Sequence, residues 1–167
     1  MFKNICLIGL PYSGKSTIGR IWAIKKNIGF IETDKMIEYK YKCQLKDLIK
    51  TDGIYGFLKK EDEIIQTLHC ENTIISTGGS IVYNSNAIIH LKNNLNCKII
   101  HLHLSFSEFK NRVGSMKERG VINKSNLSLN ELYLERIRLC ELYSDITINA
   151  DNKNDTIINL LKEDIYK

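Results

Sequence analysis

The sequence lacks any paired arrangement of cysteines. Its five cysteines are scattered, odd in number and form no C-x-x-C motif, so a zinc site or a redox dithiol is disfavoured. We therefore predict reduced thiols and a cytoplasmic protein. The four histidines show no metal-ligand spacing either. His101 and His103 alternate with leucines along a strand pattern, which predicts structural roles on one face of a sheet.

Long hydrophobic runs and dense clusters of positive charge are also absent. No apolar stretch approaches the roughly 20 residues that a membrane helix needs, and the apolar run near the N-terminus is too short for a signal peptide. The net charge is +5, yet no five basic residues are consecutive. An anionic nucleotide pocket explains this surplus as well as nucleic acid does. We expect a monomer that binds a small molecule, with no nucleic acid and no membrane as partner.

Strand and helix patterns alternate along the whole chain. Apolar runs predict strands near 4–8, 29–32, 73–76, 97–104 and 146–149, and helical spacing predicts helices near 15–26, 34–42, 54–68, 85–93, 107–114, 129–143 and 154–165. Such alternation is typical of a parallel sheet covered by helices on both faces. The expected fold class is therefore α/β, a three-layer α-β-α sandwich with a five-stranded parallel sheet, in a single domain over 1–167. The polar, aperiodic segment at about 115–128 predicts a mobile lid.

The most specific motif lies at residues 9–17, which match the phosphate loop G-x-x-x-x-G-K-S/T in full. A helix beginning near Lys15 would direct its positive end at bound phosphates. Lys15 can reach the β- and γ-phosphates, and the Ser16 hydroxyl can ligate Mg²⁺. The loop therefore predicts a nucleoside triphosphate with Mg²⁺. Its expected nucleotide contacts are Gly9, Pro11, Tyr12, Ser13, Gly14, Lys15, Ser16 and Thr17.

A phosphate loop alone does not name a reaction, because GTPases, ATPases and small-molecule kinases share it. Residues 152–155 read Asn-Lys-Asn-Asp and match the guanine signature N-K-x-D after a strand pattern, as in a GTPase. Only twelve residues follow that signature, however, and the third strand leads into Thr77-Gly78-Gly79 in place of D-x-x-G. These features disfavour a GTPase.

Six landmarks, in order along nearly the whole chain, resemble those of the shikimate kinase family. The first three are the phosphate loop continuing to Gly19-Arg20, then Phe30-Ile31-Glu32-Thr33-Asp34 where the family pattern is aromatic-x-D-x-D, and Gly56-Phe57-Leu58-Lys59-Lys60-Glu61 where it is G-F-R-x-x-E. The fourth and fifth are Thr77-Gly78-Gly79-Ser80 where the family has T-G-G-G, and Lys117-Glu118-Arg119-Gly120-Val121 where it has K-x-R-P-L. The sixth is Glu135-Arg136 with Leu139, Glu141 and Asp145, where the family has E-R-x-P-L-Y-E-x-x-A-D. Each piece alone is weak, but six in one order are specific. The resemblance implies a P-loop kinase that transfers the ATP γ-phosphate to the 3-hydroxyl of shikimate, in aromatic amino-acid biosynthesis.

The resemblance also assigns roles to individual residues. Lys15 neutralises charge on the transferred group, Asp34 orients or deprotonates the acceptor hydroxyl, and Arg119 acts from the lid. Lys117 and Arg119 reach the phosphates when the lid closes, and Lys153 contacts the adenine end. Ser16 and Glu32 hold Mg²⁺. The expected acceptor contacts are Asp34, Phe57, Gly78, Gly79 and Arg136.

Structural readings compete with several of these roles. Asp34 would also serve as a helix N-cap, and Phe57 as an ordinary core residue. Glu61 either orients a neighbouring arginine or lies on a solvated helix face. Arg136 has apolar residues three and four positions away on its own helix, so we expect it to reach into a site rather than pair on the surface.

Three departures from the family pattern bear on the acceptor. Leu58 stands where the family has an arginine that grips the shikimate carboxylate, and losing such a charge-assisted contact costs about 1.5–3 kcal/mol. Ser80 replaces a glycine of T-G-G-G; Arg138 and Cys140 replace the proline and tyrosine of P-L-Y. Lys59 or Lys60 could replace the missing cation. The alternatives left open are a kinase for a different small alcohol and a nucleotide-binding regulatory protein without turnover.

Overall fold

The computed structural model describes residues 2–114 and 127–162. Its strands are β1 (Asn4–Ile8), β2 (Gly29–Glu32), β3 (Thr73–Ser76), β4 (Cys97–His103) and β5 (Ile146–Asn149). Its helices are α1 (Lys15–Lys26), α2 (Thr33–Tyr41), α3 (Leu45–Gln66), α4 (Ser85–Ile89), α5 (Phe106–Gly114), α6 (Leu129–Tyr143) and α7 (Lys153–Lys162). A 3₁₀ turn at Ile81–Tyr83 precedes α4, and a π-helical turn at His90–Asn94 follows it.

The five strands form one parallel sheet in the order β2-β3-β1-β4-β5. Every residue of β1 is buried, as expected for a central strand that helices cover on both faces. In the register, Leu7 pairs with Ser76 on β3, and Ile8 pairs with His101 on β4. The α/β three-layer fold predicted from the sequence is confirmed. Because all strands are parallel, the loops after β1, β2 and β3 emerge at one edge of the sheet, where ligands bind in open α/β folds.

Alternating residues of β1 supply two apolar cores on opposite faces of the sheet. Ile5 and Leu7 pack in a cluster with Trp22 of α1 and residues of α5, α6 and α7. Cys6 and Ile8 pack in a second cluster with Ile65 of α3 and residues of α4. A third cluster joins α2 to α3. Burial on both faces fixes the strand ends from which the functional loops emerge.

The helix α3 is longer than its sequence pattern predicts. It begins at Leu45, well before residue 54, and has a kink at Gly53, whose φ of 69° and ψ of 179° are not helical. The glycine separated two helical patterns in the sequence, so the first half of the helix was missed. The predicted lid at 115–128 lies almost entirely outside the described residues.

The predictions for cysteine and histidine agree with the structure. All five cysteines are free thiols. The rings of His101 and His103 lie on one face of β4, with centroids 5.4 Å apart. Across residues 2–114 and 127–162, none of the helices combines the length and the hydropathy needed to cross a membrane.

Candidate active site

The loop between β1 and α1 folds around a lysine ammonium. Lys15 Nζ donates hydrogen bonds to Gly9 O at 2.9 Å, to Leu10 O at 2.8 Å and to Ser13 Oγ at 3.3 Å. Only 7% of Lys15 is exposed. A Cβ on Gly9 would lie 2.6 Å from Leu102 O, so a glycine is required where the loop leaves the sheet. The geometry places a buried positive charge inside the loop.

The first turn of α1 is prepared for an anion. Its N-cap, Gly14, has a φ of 86° and makes no side-chain cap hydrogen bond, and no acidic residue occupies the first turn. The helix therefore directs the positive end of its dipole towards the loop. Together with Lys15, this is an environment that fits the phosphates of a nucleotide.

Two hydroxyls lie beside this helix end. Ser16 Oγ is 3.4 Å from Ser76 Oγ, at the end of β3. Mg²⁺ prefers oxygen ligands and is usually bound by few protein groups together with substrate phosphates. The Ser16 hydroxyl, in the first turn of α1 beside the phosphate loop, fits such a ligand.

The loop after β3 connects the phosphate loop to a cluster of acidic groups. A Cβ on Gly79 would lie 2.8 Å from Pro11 Cδ, and one on Gly78 would lie 2.7 Å from Asp34 Oδ1 and 2.8 Å from Glu61 Oε1. Both glycines are therefore required by close approach of their neighbours. The sequence predicted that Asp34, Gly78 and Gly79 belong to one site, and the structure brings them together beside the phosphate loop.

Asp34 lies in the first turn of α2, and the N-cap of that helix is Glu32. The alternative that Asp34 is the N-cap is therefore wrong. Its partly buried carboxylate is next to Gly78 at the sheet edge.

Glu61 of α3 is fully buried, which excludes the solvated helix face considered from the sequence. Its Oε1 accepts a hydrogen bond from Ser80 Oγ at 2.8 Å. Burial raises the pKa of Glu61 to about 8; the Ser80 hydrogen bond opposes that rise, nearby Asp34 adds to it, and Arg136 opposes it. Glu61 is therefore mostly protonated at neutral pH, next to Asp34.

Arg136 of α6 reaches inwards, as its apolar helix neighbours predicted. It is 1% exposed, and its Nη1 donates to Gly79 O at 3.1 Å. Its Nε lies 3.4 Å from the Tyr83 hydroxyl, and its guanidinium lies over the Tyr83 ring at 5.3 Å. The motif comparison did not single out Tyr83, which fixes this arginine together with Gly79.

Other predicted site residues lie outside this centre or outside the described residues. Glu32 Oε2 accepts from Arg20 at 3.2 Å, so a metal role would require that bond to open. Phe57 is 2% exposed within the cluster between α2 and α3, and its contact with an acceptor stays a prediction. Lys153 is exposed at the first position of α7. Lys117 and Arg119 are not among the described residues.

The two substitutes suggested for the missing arginine do not supply it. Lys60 pairs with Asp52 at 3.1 Å and lies over the Tyr41 ring, and Lys59 is exposed. Leu58 itself is 8% exposed in the cluster between α2 and α3. Position 58 is therefore an apolar packing position.

Arg112 of α5 joins three elements and was missed from the sequence. Its Nη1 donates to Tyr12 O at 3.0 Å, and its Nη2 donates to Ala150 O at 3.3 Å and to Asp151 O at 2.9 Å. Its Nε also pairs with Glu108 at 2.6 Å. Tyr12 has a left-handed φ of 66°, so this bond holds an unusual backbone conformation of the phosphate loop. The contacts are up to 100 residues apart, and no local pattern signals them.

The N-K-x-D sequence at 152–155 has a structural explanation. Asn152 Oδ1 accepts from the backbone N–H of Asn154 at 2.9 Å and of Asp155 at 3.4 Å. The Thr156 hydroxyl donates to Asn152 O at 2.6 Å. The motif therefore caps the start of α7, which agrees with the rejection of a GTPase.

The sequence of this chain matches a family model and several known proteins. A family model described as shikimate kinase matches residues 11–166. The shikimate kinase of Sulfurihydrogenibium sp. (strain YO3AOP1) is 32% identical over 93% of this chain and 93% of the relative, and that of Clostridium botulinum (strain Okra / Type B1) is 35% identical over 96% and 95%.

Solved structures agree with the sequence relatives. The shikimate kinase of Aquifex aeolicus has a TM-score of 0.81 at 26% identity, covering 95% of this chain and 94% of that one. The shikimate kinase of Acinetobacter baumannii, solved in complex with shikimate, has a TM-score of 0.86 at 23% identity, covering 97% and 92%, and supports the fold. By the match of its sequence to the family model and to these relatives, the chain belongs to the shikimate kinase family.

Proposed function

We propose that this protein transfers the γ-phosphate of ATP to the 3-hydroxyl of shikimate, giving ADP and shikimate 3-phosphate. The observation that carries the proposal is the corner at Gly78 and Gly79. It joins the phosphate loop at Pro11 to the Asp34 carboxylate, and Arg136 hydrogen-bonds to it. A phosphate donor on the loop and a hydroxylated acid beside Asp34 would be neighbours.

The residues of the phosphate loop supply charge neutralisation for the donor. Phosphoryl transfer depends on positioning and electrostatics more than on covalent help from the protein. On nucleotide binding, Lys15 exchanges its bonds to loop carbonyls for the β- and γ-phosphate oxygens, while first-turn N–H groups of α1 receive the anion. Mg²⁺, held by Ser16, would add positive charge at these phosphates; Glu32 joins it only by leaving Arg20.

The acidic and basic residues at the corner hold the acceptor. Asp34 accepts the proton of the attacking hydroxyl as its oxygen bonds to the γ-phosphorus and the bond to the ADP oxygen breaks. Arg136 binds the carboxylate of the acceptor, because an arginine fork matches that group. Gly78 and Gly79 allow close approach, and Phe57 lines the acceptor pocket. Lys117 and Arg119 act on the phosphates from 115–128, and Lys153 lies towards the adenine end.

The proposal also covers the cellular compartment and the oligomeric state of the enzyme. Five free thiols support a reducing cytoplasm. We infer a monomer, since the residues named for donor and acceptor come from one chain.

A coupled assay for ADP release tests the function. With ATP and Mg²⁺, release should depend on added shikimate, and Lys15→Ala should lower kcat by about a thousandfold or more, since the loss of preorganised charge at a transferred group costs several kcal/mol. Lys25→Ala, an exposed lysine of the same helix, should keep turnover. Release with another hydroxylated acid but not with shikimate would reassign the acceptor. Near-normal activity of Lys15→Ala would contradict the role of the loop lysine.

A further inference from the structure

The buried carboxyl of Glu61 has one oxygen that the described residues leave without a partner. Oε1 is fixed by the Ser80 hydroxyl at 2.8 Å, whereas Oε2 is buried and has no hydrogen bond to any residue in 2–114 or 127–162. Buried polar atoms are almost always paired, because an unpaired one costs free energy. A group that enters the site is the natural partner for Oε2.

The position of this carboxyl selects the group. Glu61 Oε1 and Asp34 Oδ1 both lie within 3 Å of the same hypothetical Cβ on Gly78, so the two carboxyls lie against the same face of the Gly78 backbone. Asp34 is the group assigned to the attacking hydroxyl. A second hydroxyl of a polyhydroxylated acceptor would then meet Glu61.

We propose that Ser80 and Glu61 form an uncharged hydrogen-bonding pair in which Glu61 Oε2 binds a second hydroxyl of the acceptor and Ser80 acts as the positioning residue. This inference rests on the proposed function. It gives a role to Ser80, which is one of the departures from the family pattern. Leu58, the residue one helical turn before Glu61, is uncharged and cannot form an ion pair with it.

The charges around Glu61 explain why the pair is uncharged. Those acting on it are Asp34 on α2, Asp62 on its own helix and Arg136 on α6, with Ser80 as hydrogen-bond donor. Two acidic groups against one arginine, in a fully buried position, favour the protonated carboxyl. The pKa of Glu61, raised to about 8 chiefly by burial, agrees with this geometry. Ionisation would place a second carboxylate beside Asp34 and weaken the binding of an anionic acceptor.

The apparent KM for shikimate as a function of pH tests the proposal. If shikimate binds well only when Glu61 is protonated, KM for shikimate should rise about tenfold between pH 7 and pH 9 in the wild type. KM for ATP should not show the same rise. Glu61→Gln, which cannot ionise, should lose this alkaline rise. Glu63→Gln, an exposed glutamate on the same helix, should keep it. Ser80→Ala should raise KM for shikimate severalfold with a smaller effect on kcat.

A second measurement separates this inference from the function itself. In protein labelled with ¹³C at glutamate side chains, the Glu61 carboxyl, assigned through Glu61→Gln, should titrate near pH 8 without any acceptor and should shift when shikimate is added. Titration near pH 4.5, or an alkaline rise in KM that persists in Glu61→Gln, overturns the inference even if shikimate is phosphorylated. Absence of shikimate-dependent ADP release contradicts the proposed function and, with it, the acceptor assigned to the pair.

Discussion

At the scale of single residues, position 58 is where this chain departs most from the family pattern. Leu58 is one helical turn before Glu61 on α3 and is buried among apolar side chains. Residues three apart on a helix are neighbours. A cation at position 58 would therefore lie next to the Glu61 carboxyl and favour its ionised form.

We expect Leu58→Arg to lower the apparent KM for shikimate by about tenfold or more, since a charge-assisted contact is worth about 1.5–3 kcal/mol. It should also lower the pKa of Glu61 and remove the alkaline rise in KM. Burying a guanidinium among apolar side chains should lower the melting temperature. Leu58→Met, which keeps the apolar volume, is the control for KM. An unchanged KM in Leu58→Arg would show that the pocket does not present position 58 to this acceptor.

Sequence reasoning predicted the site unevenly at this scale. Lys15, Asp34 and Arg136 lie in motifs whose spacing relates them to a strand end or a helix face. The structure places Lys15 in the phosphate loop and brings Asp34 and Arg136 to Gly78 and Gly79 beside it. The Ser80–Glu61 bond spans 19 residues and joins two elements that meet only in the folded chain. Arg112 was missed for the same reason, because its partners lie on two distant loops.

At the scale of elements, the kink in α3 sets where Leu48 and Phe57 pack. Gly53 has a φ of 69°, and a Cβ there would meet no atom within 4 Å. Backbone strain is therefore the main cost of a side chain at this position. Gly53→Ala should destabilise the fold by about 1–3 kcal/mol, measured as the free energy of unfolding in urea. Lys50→Ala, an exposed position of the same helix, should change it by less than about 0.5 kcal/mol. Equal stability of Gly53→Ala and wild type would mean that the helix straightens freely.

Arg112 is the link between the phosphate loop and the end of β5. Because it holds Tyr12 O and the carbonyls of Ala150 and Asp151, Arg112→Ala should loosen the loop before nucleotide binds. We expect KM for ATP to rise about tenfold, in line with the loss of hydrogen bonds from a charged donor, and KM for shikimate to change little. Arg138→Ala, an exposed arginine on α6, is the matched control. A rise confined to KM for shikimate would contradict this role.

The elements themselves were well predicted where the pattern was uniform. β1, β2, β3 and β5 have the bounds expected from the sequence. Only β1 and β3 are buried along their whole length, as expected for strands inside a parallel sheet. The first half of α3 was missed because Gly53 and the polar residues around it interrupt the helical pattern. Local sequence cannot show that two such halves continue as one kinked helix, since packing against α2 decides it.

At the scale of the whole molecule, two buried groups shape the dependence of stability on pH. The pKa of Glu61 is raised to about 8 from an ordinary 4.5, chiefly by burial. The unfolded chain therefore releases this proton first, and stability is lost as pH rises from 4.5 to 8. The pKa of His101 is lowered to about 4 from 6.5, chiefly by burial and then by His103 and Lys15. The unfolded chain gains this proton first, and stability is lost as pH falls from 6.5 to 4.

The contributions of Glu61 and His101 to the free energy of unfolding change in opposite directions with pH and cancel between pH 4.5 and 6.5. Above pH 6.5 only the contribution of Glu61 still changes. From pH 6.5 to 8 we expect the free energy of unfolding to fall by about 2 kcal/mol, at about 1.4 kcal/mol per pH unit. Urea titrations at several pH values measure it. Glu61→Gln should abolish the fall, while Glu63→Gln should retain it. A stability profile that is flat from pH 6.5 to 8 in the wild type would show that Glu61 is ionised in the folded protein.

The fate of the γ-phosphate tests the central claim most directly. Phosphorus-31 NMR of the protein with ATP, Mg²⁺ and shikimate follows donor and product together. We predict a phosphomonoester signal that grows in step with ADP and requires shikimate. Two results would contradict a kinase acting on this acceptor. One is conversion of ATP to ADP and inorganic phosphate alone. The other is ATP that stays unchanged under conditions in which related shikimate kinases turn over.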